Sequence, residues 1–350
     1  MTKHIHGGDV YKYKDCLDFS ANLNPLGTPE RVKQAIIRSL DHIAQYPQVG
    51  CSLLREKIAE YEGVKEEEIV CGNGAAEVIF TLCRAVNPKR ALIPAPTFAE
   101  YGQALASMGC ELEYYMLTEN DGFVLGDSYL DILHKGLDIA FLCNPNNPTG
   151  MLIPHRLLKK ILEKCRKLEI LLVVDECFLD FVKEPQEYSL KRSLSGFNNL
   201  FILKAFTKRY AMAGVRLGYG LCSDRKLMER MELCVQPWNV STMAQAAGLQ
   251  ALTETEYVEE GRQLVFREAQ WLKDELVRIG YKVFPSEANY IFFKGPEELF
   301  DFCLRKRILI RDCSNYPGLT KGYYRIAVKR HEENVKLIEV LEGGILWQKQ

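Results

Sequence analysis

The sequence predicts an α/β protein: a mostly parallel sheet with helices on both faces, a smaller α+β C-terminal domain and an N-terminal arm. Three observations predict it. Short apolar runs at Arg90 to Ala95, Asp138 to Cys143, Ile170 to Val174 and Leu200 to Leu203 read as buried strands. Helical patterns fill Ala75 to Ala85, Phe98 to Met108 and His155 to Leu168. Candidate chemical groups follow the strand ends, where such sheets hold their ligands.

Residues 1–28 are rich in Gly, Asn and Pro and read as the arm. A helix follows from Thr28 to Leu40, with Thr28 as its cap and Pro29 in its first turn. Ser52 to Tyr61 carries Leu53, Leu54, Ile58 and Tyr61 on one helical face. Ile69-Val70-Cys71 is a short strand before the turn Gly72-Asn73-Gly74. Glu254 to Arg278 reads as a long charged linker helix. Ala288 to Phe293, Ile308 to Arg311 and Tyr323 to Val328 are the strands of the smaller domain. The expected division is 1–28 for the arm, 29–240 for a large cofactor-binding domain and 241–350 for linker helix and small domain. The first helix is a candidate to pack with the small domain.

The chain has 350 residues, 47% of them hydrophobic, enough for a large core and a smaller second domain. Forty-five basic and 46 acidic residues leave a net charge of −1, which argues against a nucleic-acid or membrane-surface partner. None of the 12 cysteines forms a CxxC pair, so they read as reduced thiols of a cytoplasmic protein, with no metal site. Met1 to Gly8 lacks the apolar core of a secretory signal, and no apolar run approaches membrane-spanning length.

Lys208 is the residue with the most telling surroundings. It follows Thr207 and precedes Arg216 by eight positions, after Ala213-Gly214. Asn144-Pro145-Asn146-Asn147-Pro148-Thr149-Gly150 follows one predicted strand, and Asp175-Glu176 follows the next. Together they offer an amine for a Schiff base, a carboxylate for a pyridinium nitrogen and an arginine for a phosphate. Those are the groups that hold pyridoxal phosphate and let it act as an electron sink. Gly72-Asn73-Gly74-Ala75-Ala76 opens a helix, whose N-terminal amides suit an anion. Lys204 is a rival for Lys208, but a lone lysine is usually a solvated charge, and that reading is preferred for it. Asp175 alone reads equally as a strand-end cap, and Phe98 as a core aromatic.

The stretch Thr207 to Arg216 resembles the Ser/Thr-Lys-x-x-x-x-x-Gly-x-Arg signature of fold-type I pyridoxal-phosphate enzymes. The resemblance implies that Lys208 binds the cofactor covalently and Arg216 grips its phosphate, beside the amides of Ala75 and Ala76. It implies that Asp175 pairs with the ring nitrogen, Asn147 donates to the phenolate oxygen and Phe98 stacks on the ring, with Thr207 completing the set. Phe178 stands where the family often has a tyrosine, so one hydrogen bond to the phenolate is lost. Tyr46, in Gln45-Tyr46-Pro47, resembles the tyrosine that reaches the cofactor phosphate of the neighbouring subunit, which implies a homodimer with shared active sites.

The whole chain resembles the histidinol-phosphate aminotransferase group. Within it, three segments resemble the threonine-phosphate decarboxylases of cobalamin synthesis: His6-Gly7-Gly8, Asp18 to Gly27, and Ile308 to Leu319. That likeness implies a phosphorylated amino-acid substrate. Arg325 would bind its carboxylate and Arg311 its phosphate. His6 and Asn22 would reach it from the arm, His6 from the partner subunit. The implied activity is decarboxylation of L-threonine O-3-phosphate. Transamination of histidinol phosphate and decarboxylation of serine phosphate stay open. Only nine residues separate Gly8 from Asp18, a shorter arm than the family commonly has.

Overall fold

A computed structural model describes residues 6–348 of the chain, so the first five residues of the expected arm lie outside the described residues. Its central sheet has seven strands: β2 (Ile69–Gly72), β3 (Arg90–Ala95), β4 (Glu111–Met116), β5 (Ile139–Cys143), β6 (Leu171–Asp175), β7 (Leu200–Ala205) and β8 (Gly218–Leu221). The two-residue strand β1 (Leu17–Asp18) precedes them in the chain. The sheet order is β2-β8-β7-β6-β5-β3-β4. All pairings are parallel except the two that β8 makes with β2 and β7.

Alternation along the strands divides the core between the two faces. Leu92, Ala140, Leu142, Leu172, Val174 and Ile202 point to one face, which the helix His155–Lys167 covers with Leu158, Ile161 and Leu162. Ile93, Ile139, Phe141, Val173, Phe201 and Leu203 point to the other, covered by Val78 and Leu82 of Ala75–Val86 and by Tyr101 and Leu105 of Ala99–Ser107. Full burial of side chains such as Phe141 and Leu172 is worth roughly 1.5–3 kcal/mol each, which makes the strand ends a firm platform for the loops beyond them.

A second, antiparallel sheet has the order β12-β13-β10-β9. Its strands are β9 (Lys282–Val283), β10 (Tyr290–Lys294), β12 (Arg311–Asp312) and β13 (Tyr323–Ala327). Phe293, Tyr324 and Ile326 pack there against Leu272 and Leu276 of the helix Thr255–Arg278 and against Leu337 and Leu341 of His331–Gln348. The arm joins this unit through β1, which pairs in parallel with β11 (Ile308–Leu309). The first helix, Glu30–Ser39, packs against Thr242–Ala251.

Several local expectations need correction. Thr28 does not cap the first helix: its hydroxyl donates to Ala211 O at 2.7 Å, and Pro29 is the N-cap. The run Ile308 to Arg311 is two strands, not one. β11 faces the arm, whereas Arg311 in β12 pairs with Arg325 in β13, so the chain passes from one sheet to the other at Ile310. β10 starts at Tyr290 rather than Ala288.

Candidate active site

A cavity of about 320 Å³ opens at the carboxyl ends of β5, β6 and β7, walled by the arm on one side and β12 and β13 on the other. It gathers His6, Asn22, Ala75, Ala76, Phe98, Asn147, Asp175, Thr207, Lys208, Arg216, Arg311 and Arg325, all named from the sequence.

Lys208 sits in the short helix Phe206–Arg209 directly after β7. Burial, aided by the cations of Arg325 and Arg216, pulls its amine down to about 8. It is therefore readier to act as a nucleophile than an ordinary lysine. Its ammonium lies 5.5 Å from the ring centre of Phe178, the residue in place of the family's tyrosine.

Asp175 ends β6 and lies opposite Cys143 of β5 and Leu203 of β7. Burial pushes its carboxyl up, while hydrogen bonds and Lys208 oppose that shift. Its Oδ2 accepts from the Tyr101 hydroxyl at 2.5 Å and its Oδ1 from the Cys177 amide at 2.9 Å. A buried carboxylate of this kind gains from a cationic partner, which a protonated ring nitrogen supplies.

The phosphate end of the site is built from close backbone approach. Gly74 adopts φ 82°, and a Cβ there would lie 2.6 Å from Arg216 Nη2. A Cβ on Gly218 would lie 2.4 Å from the Ala75 nitrogen. Glycine at both positions lets the guanidinium and the helix N-terminus at Ala75 converge, a cradle suited to a phosphate dianion. The residues present fit pyridoxal phosphate at both ends.

The substrate side is cationic. Arg311 and Arg325 are register partners on adjacent antiparallel strands, 4% and 6% exposed. Like charges directly opposite one another destabilise a sheet, so this pair favours an anionic ligand. Arg325 donates to Asn147 Oδ1 through Nη1 and to Ser20 O through Nη2 at 2.9 Å, while its Nε is buried without a partner. Arg311 donates to Asn315 Oδ1 at 2.9 Å. Asn22 Oδ1 is likewise buried without a hydrogen bond.

Two placements differ from the sequence reading. Lys204 is not a solvated charge: it is 8% exposed and pairs with Glu176 at 3.4 Å and Glu62 at 3.8 Å. Burial presses its amine down, but these carboxylates outweigh burial and hold it well above the ordinary lysine range. His6 reaches the cavity of its own chain, where its Nδ1 lies 3.0 Å from Glu100 Oε1. Tyr46, expected at the neighbouring subunit's site, does not line the cavity of its own chain; it is 77% exposed and stacks on Trp238 at 4.4 Å.

Sequence reasoning assigned no role to Tyr101, Ser20 or Glu100. Tyr101 had one available signal, since it lies three residues after Phe98 in the helix predicted from that residue; in the structure Phe98 is the N-cap and its ring meets Tyr101 edge-on at 5.4 Å.

The class I and II aminotransferase family matches residues 14–341. The chain belongs to that family. It is a pyridoxal-phosphate-dependent enzyme. A threonine-phosphate decarboxylase of Salmonella typhimurium is 40% identical, over 98% of this chain and 97% of the relative. The crystal structure of a histidinol-phosphate aminotransferase from Clostridium acetobutylicum superposes with a TM-score of 0.87 at 30% identity, covering 93% of this chain and 98% of that one. That of an L-threonine-O-3-phosphate decarboxylase from Porphyromonas gingivalis gives 0.82 at 26% identity, with the same coverage. Among the described residues, no helix is long and apolar enough to cross a membrane, and no cluster of His, Cys, Asp and Glu could hold a metal ion.

Proposed function

We propose that this enzyme is a carbon–carbon lyase that decarboxylates L-threonine O-3-phosphate, giving (R)-1-amino-2-propanol phosphate and carbon dioxide for cobalamin side-chain synthesis. One observation carries the reading: two buried arginines stand in direct register with each other and line the cavity that holds Lys208, which suits an anion at two points. A substrate with both a carboxylate and a phosphate satisfies them. The 40% identity to a relative named for this activity supports the same choice.

Each side chain has a task in this reading. Arg325 binds the substrate carboxylate and fixes its angle, itself held by Asn147 and Ser20. Arg311 binds the substrate phosphate, with His6 and Asn22 closing from the arm. Asn147, whose Oδ1 is occupied by Arg325, keeps its amide nitrogen as a donor toward the cofactor's phenolate oxygen. Phe98 covers the cofactor ring, and Thr207 lines the wall beside Lys208. Asp175 keeps the ring nitrogen protonated. Pyridoxal phosphate, when bound, supplies the electron sink for the pair left by the departing carbon dioxide. Lys208 holds the cofactor between turnovers, and its lowered affinity for protons lets it move one at the reacting carbon.

Two further features belong to the reading. The working unit is a homodimer in which Tyr46 serves the neighbouring site. The compartment is the cytoplasm, in keeping with the free cysteines.

The histidinol-phosphate aminotransferase fold neighbour favours transamination as the second reading. Serine phosphate is an alternative decarboxylase substrate, since the loss of one methyl gives weak discrimination. The deciding experiment incubates the holoenzyme with O-phospho-L-threonine, with and without 2-oxoglutarate, and measures carbon dioxide and keto acid. Carbon dioxide release without keto acid supports the lyase. Keto acid without carbon dioxide overturns it.

A further inference from the structure

The arm is fastened over the cavity by its glycines. A Cβ on Gly7 would lie 2.4 Å from Ser20 O. Gly8 adopts φ 80°, and its amide donates to Ser20 Oγ at 2.7 Å. Ser20 Oγ donates in turn to Asp18 Oδ1 at 2.6 Å, and Ser20 O accepts from Arg325. The arm is thus tied to an arginine of the substrate side, and the tie delivers the His6 imidazole to Glu100.

Glu100 lies in the first turn of the helix Ala99–Ser107 and lines the cavity with His6 and Arg311. Its side chain is 12% exposed, and its Oε2 is buried without a hydrogen bond. Among the described residues, His6 is the partner the structure gives this carboxylate. A half-satisfied carboxylate is costly where it stands, and it adds negative charge to a pocket built for anions. Its charge also reaches Lys208 and Tyr316, but among the described residues the one direct contact the structure gives its side chain is with the histidine.

We infer that Glu100 is a positioning residue for substrate phosphate: by bonding His6 Nδ1 it holds the ring as an imidazolium, turned toward the phosphate that Arg311 binds. This rests on the proposed phosphorylated substrate and adds the device that recognises it. Among the described residues, the charged groups acting on His6 are Glu100 from the helix and Arg311 from β12. The Glu100 hydrogen bond raises the imidazole above its ordinary value and outweighs burial and Arg311, which lower it. The charge therefore persists to higher pH than on an ordinary histidine, and its help in binding is lost as pH rises through the raised value. Without Glu100, burial and Arg311 act unopposed, and the loss starts at lower pH.

The test uses the holoenzyme with O-phospho-L-threonine and with L-threonine, over roughly pH 6 to 9, which brackets the histidine range. Glu100→Gln should raise KM for the phosphorylated substrate about 3–10-fold near neutral pH, a charge-assisted contact discounted for the exposure of His6. The smaller part of the effect should fall on kcat, and the loss with threonine should be smaller. The alkaline fall in kcat/KM should move to lower pH. Glu100→Asp should restore part of it, and Gly7→Ala, which lifts the arm from Ser20, should reproduce it. In a His6→Ala background, Glu100→Gln should add almost nothing. If the unmodified enzyme prefers the phosphorylated substrate but Glu100→Gln leaves the pH profile unmoved, or costs the same factor without His6, the inference is overturned alone. Equal handling of both compounds by the unmodified enzyme overturns the substrate reading and the inference with it.

Discussion

The Tyr101 hydroxyl donates to Asp175 Oδ2 at 2.5 Å, from a fully buried ring stacked on Phe141. The bond ties the helix Ala99–Ser107 to the end of β6, so the carboxylate proposed to meet the cofactor's ring nitrogen is aimed by a residue from another element. Tyr101→Phe removes one of the groups that hold the Asp175 acid down against burial. The acid should rise further, and the acidic limb of the kcat profile should move to higher pH. A hydrogen bond to a charged group is worth about 1.5–3 kcal/mol, so kcat should fall roughly ten- to a hundredfold if the whole term is used in catalysis. An unmoved acidic limb would show that Tyr101 only fills space.

Gly74→Ala tests the phosphate cradle. The added methyl would stand 2.6 Å from the Arg216 guanidinium, at a backbone φ of 82° that an L-residue rarely adopts. The cofactor should bind at least about tenfold more weakly, the scale of one lost charge-assisted contact. Equilibrium dialysis against pyridoxal phosphate measures this, with thermal melting of the apoenzyme as the control for folding. Unchanged affinity would remove Gly74 from the phosphate site.

The Lys208, Asp175 and Arg216 constellation was legible because each residue follows an apolar run that had to be a strand, and their spacing fits one cofactor. Tyr101, Ser20 and Glu100 were not legible, because their roles come from contacts between segments far apart in sequence. Lys204 was misread although a signal was present. Strand alternation sets it on the same face as Ile202, a buried face, so it needed carboxylates, and Glu62 and Glu176 provide them. β8 was missed because Gly218-Tyr219-Gly220-Leu221 looks like a turn. In the fold a Cβ on Gly220 would lie 2.1 Å from the Phe201 ring, so glycine there serves sheet packing. The edge strand β4 was missed because its glutamates and tyrosines are largely exposed or half-buried and no continuous apolar run marks it.

Lys208 and Lys204 should separate cleanly in a labelling experiment. Borohydride reduction of the holoenzyme should fix the cofactor on the peptide position of Lys208, because the Lys204 ammonium is held by Glu62 and Glu176. Apoenzyme reconstitution should quicken as pH rises through about 8, where Lys208 loses its proton. The unfolded chain keeps that proton to about 10.5, so this group also makes the apoenzyme more stable as pH rises between those values. Label on Lys204, or a reconstitution rate that ignores pH in this range, would reverse the assignment.

Arg311 and Arg325 should fail differently. Loss of a charge-assisted contact costs about 1.5–3 kcal/mol, or roughly one to two decades in kcat/KM. Arg311→Ala should therefore hurt O-phospho-L-threonine far more than L-threonine. Arg325→Ala should hurt both, because both carry the carboxylate. It should also divert part of the turnover from carbon dioxide release to transamination, since the carboxylate is no longer held at a fixed angle. Equal losses for both substrates in Arg311→Ala would remove its phosphate role.

Tyr46 tests the shared site. It lies outside the cavity of its own chain, beside the exposed apolar side chains of Ile43, Val49 and Leu53. An exposed apolar surface of this kind suits a second subunit, and the proposed homodimer places Tyr46 at the neighbouring cavity. Tyr46→Phe should lose the hydroxyl contact to the cofactor phosphate, and Lys208→Ala should be inactive. A hybrid dimer of the two has one site with both Lys208 and Tyr46 intact. Random exchange of equal amounts makes half of the dimers hybrid, so about a quarter of all sites should be restored. Activity should rise above the mean of the two parents as native mass spectrometry detects the hybrids. Hybrids that form without any gain in activity would show that each chain completes its own site.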